Sequence, residues 1–325
     1  MLLKNKLKAL FKAEQFQGWG KTERYFEGWY YKVLNKNEDQ AFAFIPGVAM
    51  DENGKKQAFI QVLDGKNRTA AYHRFDFKEF RPKAGKFRVV IGNNRFQNNQ
   101  ILLDLPNIRG KLTFHQQVPW SDSGYSSNIM RTFSFLPFVQ WCQGILSMNH
   151  TIKGWLQING ERVDFTGGKG YLEKDWGRSF PDSHLWLQTN HFSVEGVSLK
   201  TSVAKIPCMG TSFVGFTAGV WLVDRLIEFS PFNLTKLRKS YADEKKVELV
   251  MENNRHCLQI LAKRETAVEL ASPIVGFLDG RVEESMNAKI EVQLIDKKFR
   301  RVLLADVGRN AGVEVAGNVR DITVV

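Results

Sequence analysis

From Gly18 to Val118 the chain is written in short β-prone runs, and that rhythm constrains its fold class more than any other feature. Runs of four to ten residues fall at Ala41–Val48, Gln57–Leu63, Ala71–Phe80, Lys86–Ile91, Gln100–Leu105 and Lys111–Val118. Turn clusters such as Asp51-Glu52-Asn53-Gly54, Asp64-Gly65-Lys66-Asn67 and Gly92-Asn93-Asn94 separate them. In Ala71–Phe80 the residues alternate, with Phe75 and Phe77 on one face and Arg74, Asp76 and Lys78 on the other. Runs this close, without long helical patterns between them, predict an antiparallel meander, sandwich or barrel. Residues 119–150 interrupt the rhythm and read as a long aromatic connection. Strands resume at Thr151–Ile158 and Glu161–Thr166, and the same style fills the second half. Phe229–Lys239 is the least strand-like stretch there and suits a short helix or a basic loop.

The 325 residues suffice for two domains of ordinary size, each with its own core. Net charge is +12, and residues 1–165 hold 24 Lys+Arg against 14 Asp+Glu, while residues 166–325 hold 22 against 20. A basic first half favours anionic partners, either nucleic acid or an anionic membrane face. Nucleic acid is the weaker of the two, because no recognised module or basic–aromatic stripe is present. Leu2, Leu3, Leu7, Leu10 and Phe11 recur at helical spacing with lysines opposite, which predicts a cationic amphipathic helix over 1–17. That helix offers peripheral contact with the membrane through residues 2–12, or simply packs on the body of the protein. Cys142, Cys208 and Cys257 are odd in number and widely spaced, which points to a reducing, cytoplasmic compartment.

Two aromatic motifs carry the chemistry. Tyr25-Phe26-Glu27-Gly28-Trp29-Tyr30-Tyr31-Lys32 is echoed by Tyr171-Leu172-Glu173-Lys174-Asp175-Trp176-Gly177. The echo suggests a duplication: a first barrel-like module over 18–166 and a second over 167–325, each opened by a motif strand. On an extended strand Glu173 and Asp175 share one face, with Lys174 and Trp176 on the other. Neighbouring carboxyls in aromatic surroundings favour retention of a proton, which is what acid catalysis on an apolar substrate needs. Glu27 shares its face with Tyr25, Trp29 and Tyr31, and there the bland alternative is a buried first-strand anchor.

Together with Gly144-Ile145-Leu146-Ser147-Met148-Asn149-His150 and Trp186-Leu187-Gln188-Thr189-Asn190-His191-Phe192, these motifs resemble the signatures of tocopherol cyclase-like proteins. The resemblance runs from about residue 18 onwards. It implies an all-β fold of two consecutive lipocalin-like antiparallel modules, akin to carotenoid hydratases. It also implies a cofactor-free, acid-catalysed closure of a prenylated quinol or related isoprenoid to a chromanol. The family pattern carries an amide where this chain has Asp175, which places Glu173 ahead as the proton donor. Glu173, Asp175 and His150 are then the catalytic candidates. Glu27, Trp29, Tyr31, Asn149, Tyr171, Trp176, Trp186, Asn190 and His191 are the candidates for lining an apolar substrate site. No helical His spacing supports a metal. The competing expectation is a non-catalytic carrier that holds a lipid or isoprenoid in the same cavity.

Overall fold

A computed structural model describes residues 9, 12–120, 129, 139–208 and 210–325. Its regular elements are antiparallel strands and short 3₁₀ turns. The first twelve strands are β1 (Tyr25–Leu34), β2 (Ala41–Met50), β3 (Lys56–Asp64), β4 (Thr69–Asp76), β5 (Phe80–Pro82) and β6 (Arg88–Ile91), followed by β7 (Asn94–Gln97), β8 (Gln100–Asp104), β9 (Ile108–Val118), β10 (Trp141–Ile158), β11 (Glu161–Asp164) and β12 (Lys169–Gly177). They form one sheet in the order β4-β3-β2-β1-β12-β10-β9-β8-β7-β6-β5, with β11 paired to β10. The remaining ten are β13 (His184–Thr189), β14 (Val197–Cys208), β15 (Thr211–Leu222), β16 (Arg225–Phe229) and β17 (Lys236–Ala242), then β18 (Lys246–Glu252), β19 (His256–Lys263), β20 (Val268–Ile274), β21 (Phe277–Asp296) and β22 (Arg301–Ala316). The second sheet runs β16-β15-β14-β13-β22-β21-β19-β18-β17, with β20 on β21.

The chain divides into two compact units, one reaching to Phe180 and including Ala271–Arg281, the other holding the rest. Ala271–Arg281 is held in the first unit by Gln61, whose amide donates to the Ala271 carbonyl and accepts its N–H, both at 3.0 Å. Leu278 packs there on Ala49 and Phe59.

Several expectations change. The strand at Lys169–Gly177 does not open a second module after residue 166; it lies between β1 and β10 in the first sheet. Residues 141–150, expected within a connection, are the first half of the long β10. The alternation over 71–80 stops at Asp76, which caps a 3₁₀ turn at Phe77–Glu79 by accepting the Lys78 N–H. Phe229–Lys239 is neither helix nor loop throughout, since Pro231–Asn233 is a 3₁₀ turn and β17 follows. The amphipathic stretch falls mainly on residues 1–8, 10 and 11, which lie outside the described residues. From residue 13 to 17 the chain is turn, bend and irregular backbone, so no helix reaches residue 17. No helix among the described residues is long and apolar enough to cross a membrane.

The interior of the first sheet is filled by rings. Trp29 stacks on Phe87 at 5.7 Å, and Tyr31 meets Phe96 at 5.8 Å and Phe114 at 6.0 Å. Leu112, Ile152, Leu156 and Phe165 complete this core with almost no exposure. The second unit buries alternate residues such as Val247, Leu249 and Met251 of β18, the pattern of a half-buried antiparallel strand.

Candidate functional site

The two motif strands are antiparallel neighbours. Register pairs Glu27 with Trp176, Trp29 with Lys174, and Tyr31 with Leu172. Directly opposed residues share a face, so Glu27, Trp29, Tyr31, Lys174 and Trp176 all point into the core of the first unit. Glu173 and Asp175 point the other way, beside Tyr30 and Gly28 of β1 and Ile145 and Gln143 of β10.

On the inner face Lys174 and Glu27 form an ion pair with Nζ and Oε1 2.6 Å apart, both side chains wholly buried. The ammonium also donates to the Ala13 and Gln15 carbonyls at 2.7 and 2.5 Å and lies over the Trp29 and Trp176 rings. The carboxylate accepts from the Tyr25 hydroxyl at 2.5 Å and from the Gln17 and Gly18 N–H groups at 3.0 Å. Trp29 donates its indole N–H to the Glu14 carbonyl. Burial pushes the Lys174 ammonium down from its ordinary value, with Glu27 pulling it back. Glu27 and Trp29, expected to line a substrate site, instead fasten the segment before β1 to the barrel interior.

His150 is also inside. It follows a bulge in β10, accepts or donates through Nδ1 to the Ser147 hydroxyl at 3.0 Å, and packs on Phe114 at 4.5 Å. Its Nε2 lies so close to Gly170 that a Cβ there would approach to 2.2 Å, so only glycine fits opposite it. Burial pushes the imidazole down to about 3, which keeps it neutral. It therefore sits on the wrong face, and in the wrong protonation state, to act with Glu173 as an acid. Asn149, beside it, is half-buried and accepts the Ser147 hydroxyl at its backbone carbonyl.

The outer face of β12 brings together Tyr171, Glu173 and Asp175. Glu173 is 3% exposed, and the Tyr171 hydroxyl donates to its Oε2 at 2.5 Å. Burial, then the Glu173 charge, push the Tyr171 phenol well above its ordinary value, so the hydroxyl stays a donor. Asp175 is half-buried and accepts the Trp141 indole N–H at 2.8 Å. Tyr30 and the buried Lys32 stand opposite Glu173 and Tyr171 in the register. Tyr30 and Lys32 were not singled out from sequence, although period-two counting on Tyr25–Lys32 would have found both once β1 and β12 were known to pair.

In the second unit His184, Trp186 and Gln188 alternate on β13 and are buried, while Leu185 and Leu187 enter the core. The Trp186 ring covers Gly312, where a Cβ would come within 2.4 Å of it. Lys200, opposite Gln188, donates to the Ser202 hydroxyl. Asn190 and His191 are buried beyond the strand end, and the His191 carbonyl accepts the Arg309 N–H at 2.9 Å.

His184 forms a second buried ion pair that sequence reading missed, because its partner Glu314 is 130 residues away. Nδ1 faces the Pro181 carbonyl at 3.1 Å, an acceptor only, and Nε2 faces the Glu314 carboxylate. Both contacts are satisfied by the doubly protonated ring. Burial opposes that charge, but Glu314 and Pro181 outweigh it and raise the imidazole above its ordinary 6.5. A raised folded value contributes stability that is complete below 6.5 and is lost as pH climbs through the raised value. Melting temperature should therefore fall as pH is taken from 6.5 upward, and Glu314→Gln should flatten that slope. An unchanged slope in the variant would exclude this pair as its source.

A family model described as tocopherol cyclase-like matches residues 106–317. Among curated proteins, the chain is 26% identical over 174 residues to a probable chloroplastic tocopherol cyclase of Oryza sativa subsp. japonica, a match covering 50% of this chain and 37% of that protein. It is likewise 26% identical over 176 residues to the chloroplastic tocopherol cyclase of Zea mays, covering 50% and 36%. These matches span little more than a third of the plant proteins. Among solved structures, CghA superposes with a TM-score of 0.58 at 12% identity, over 91% of this chain and 89% of its own. A putative AttH from Nitrosomonas europaea gives 0.51 at 12%, over 90% and 92%. Likeness at that identity speaks for the fold alone, an all-β chain of lipocalin-like modules.

Proposed function

The chain belongs to the tocopherol cyclase-like family, and on that premise we propose that it is a cyclase acting on a prenylated phenol or quinol by acid catalysis. The observation that carries the reading is Glu173, a buried carboxyl held by a phenol that stays protonated and sharing a face with Asp175. Glu173 gives its proton to the less substituted carbon of the prenyl alkene, leaving a tertiary cation at the other carbon. The phenol oxygen of the substrate attacks that cation and closes the ring. The proton released from this oxygen returns to Glu173, so substrate and product are isomers and the enzyme ends as it began. Tyr171 donates to the carboxylate formed after the first transfer and keeps Oε2 in place. Asp175, oriented by Trp141, adds negative potential beside the developing cation.

A carrier of lipocalin type would hold its ligand in a hollow barrel. The rings of Trp29, Phe87, Tyr31, Phe96 and Phe114, closed off by Lys174 and Glu27, fill the interior of the first unit and weigh against that alternative there. The test is to incubate the protein with a prenylated hydroquinone in D₂O and analyse the product by mass spectrometry. Alkene protonation delivers a chromanol carrying one deuterium at the carbon that was protonated. Substrate bound but recovered unchanged would favour the carrier and overturn the cyclase reading.

A further inference from the structure

Five connections of the second sheet gather at one of its ends. Residues 190–196 and 223–224 meet because Val197 pairs with Leu222. Residues 253–255 and 297–300 meet because His256 pairs with Asp296 and the Lys297 N–H donates to the Arg255 carbonyl. The Ser193 N–H donates to Asp306 of β22 at 2.8 Å, which ties the first pair to the second. Residues 230–235 join them through the Lys236–Glu252 pairing.

This end is both apolar and cationic. Leu234 is 75% exposed, Phe299 65%, Val223 64% and Val194 48%, and each sits in a connection. Isolated exposed hydrophobics need no explanation, but four at one end of a sheet do. Around them stand Arg225, Lys298, Arg300 and Arg301, none of which has a carboxylate partner among the described residues. Arg255 and Lys297 are offset by Asp296 and Glu252, and Glu195 and Asp224 are the acidic residues of the connections. The run Lys297-Lys298-Phe299-Arg300-Arg301 places a ring between cations at the tip of one hairpin.

We propose that this end of the second unit docks on the surface of an anionic lipid bilayer. Aliphatic and phenyl tips enter the boundary between headgroups and acyl chains, while the surrounding guanidinium and ammonium groups meet lipid phosphates. Nucleic acid fits less well, since Val194, Val223 and Leu234 offer nothing for bases to stack on. The near-neutral charge of residues 166–325 conceals this surface in the sequence, because its cations are scattered over separate turns.

The experiment is co-sedimentation of the full chain with phosphatidylcholine vesicles and with mixed phosphatidylcholine–phosphatidylglycerol vesicles. Binding should require phosphatidylglycerol and weaken with salt. Each basic residue near such a surface is worth roughly fivefold in binding, so Arg300→Glu with Arg301→Glu should reduce it by at least about tenfold. Leu234→Asp with Phe299→Asp should do the same, and melting should be unchanged because these side chains are exposed. Absence of binding, equal binding to both vesicles, or full binding by the Arg300→Glu, Arg301→Glu protein overturns the proposal. So does binding that survives these changes and disappears on deletion of residues 2–11. Arg300 and Arg301 belong to the second unit and take no part in the Glu173 proton transfer, so turnover of a water-soluble short-chain substrate should be the same with Arg300→Glu and Arg301→Glu. Failure of either reading therefore leaves the other intact.

Discussion

Glu173→Gln is expected to reduce cyclisation by about 10²–10⁴-fold, the range that a positioned general acid contributes. Glutamine keeps the size of the side chain and can accept the Tyr171 hydroxyl through its amide oxygen, so the buried contact at 2.5 Å is retained in kind. What it lacks is a transferable proton. Substrate affinity and melting temperature should stay near wild type, and the loss should appear in kcat and not in KM. Tyr171→Phe separates donor from positioner: it removes the hydroxyl but leaves the acid, and should lower kcat less while moving the pH profile. Asp175→Asn should cost less than Glu173→Gln, because Trp141 still fixes the side chain and only the negative charge is lost. Cyclisation that continues at full rate in Glu173→Gln would remove this residue from the mechanism, whatever Asp175 does.

The alternation on Tyr171–Gly177 was legible from sequence because period two is a local property of an extended chain. It separated Glu173 and Asp175 from Lys174 and Trp176 as the structure does. Strand order was not legible. The echo of Tyr25–Lys32 in Tyr171–Gly177 suggested two modules, yet the motifs pair with one another, and nothing local records that Trp29 lies opposite Lys174. One shared signal did survive in the spacing. Tyr25 and Glu27, like Tyr171 and Glu173, are two apart, and each hydroxyl donates to its carboxylate at 2.5 Å, on opposite faces of one sheet. His150 failed for another reason: the β10 bulge and the close approach of Gly170 turned it into the core, and both depend on the neighbouring strand. A lysine between two carboxylates reads as solvated, so the burial of Lys174 was invisible until Glu27 and the carbonyls of Ala13 and Gln15 were placed around it.

Lys174→Met should destabilise the first unit by about 3–5 kcal/mol, the usual consequence of removing one member of a buried ion pair. The side chain is fully buried, and its loss leaves the Glu27 charge with only the Tyr25 hydroxyl and the Gln17 and Gly18 amides. The Ala13 and Gln15 carbonyls lose their donor at the same time, so the segment 13–18 keeps only its contacts to Glu27 and Trp29. Proteolysis within that segment should accelerate in step with the fall in the denaturation midpoint. Glu27→Gln should be milder, since the ammonium keeps both carbonyls and the Trp29 and Trp176 faces. The double variant, Lys174→Met with Glu27→Gln, should be more stable than the sum of the single losses by roughly 1–3 kcal/mol, because it leaves no uncompensated charge inside. Strict additivity in the cycle would mean that the two groups do not act on each other, and that each holds the segment 13–18 only through its own hydrogen bonds.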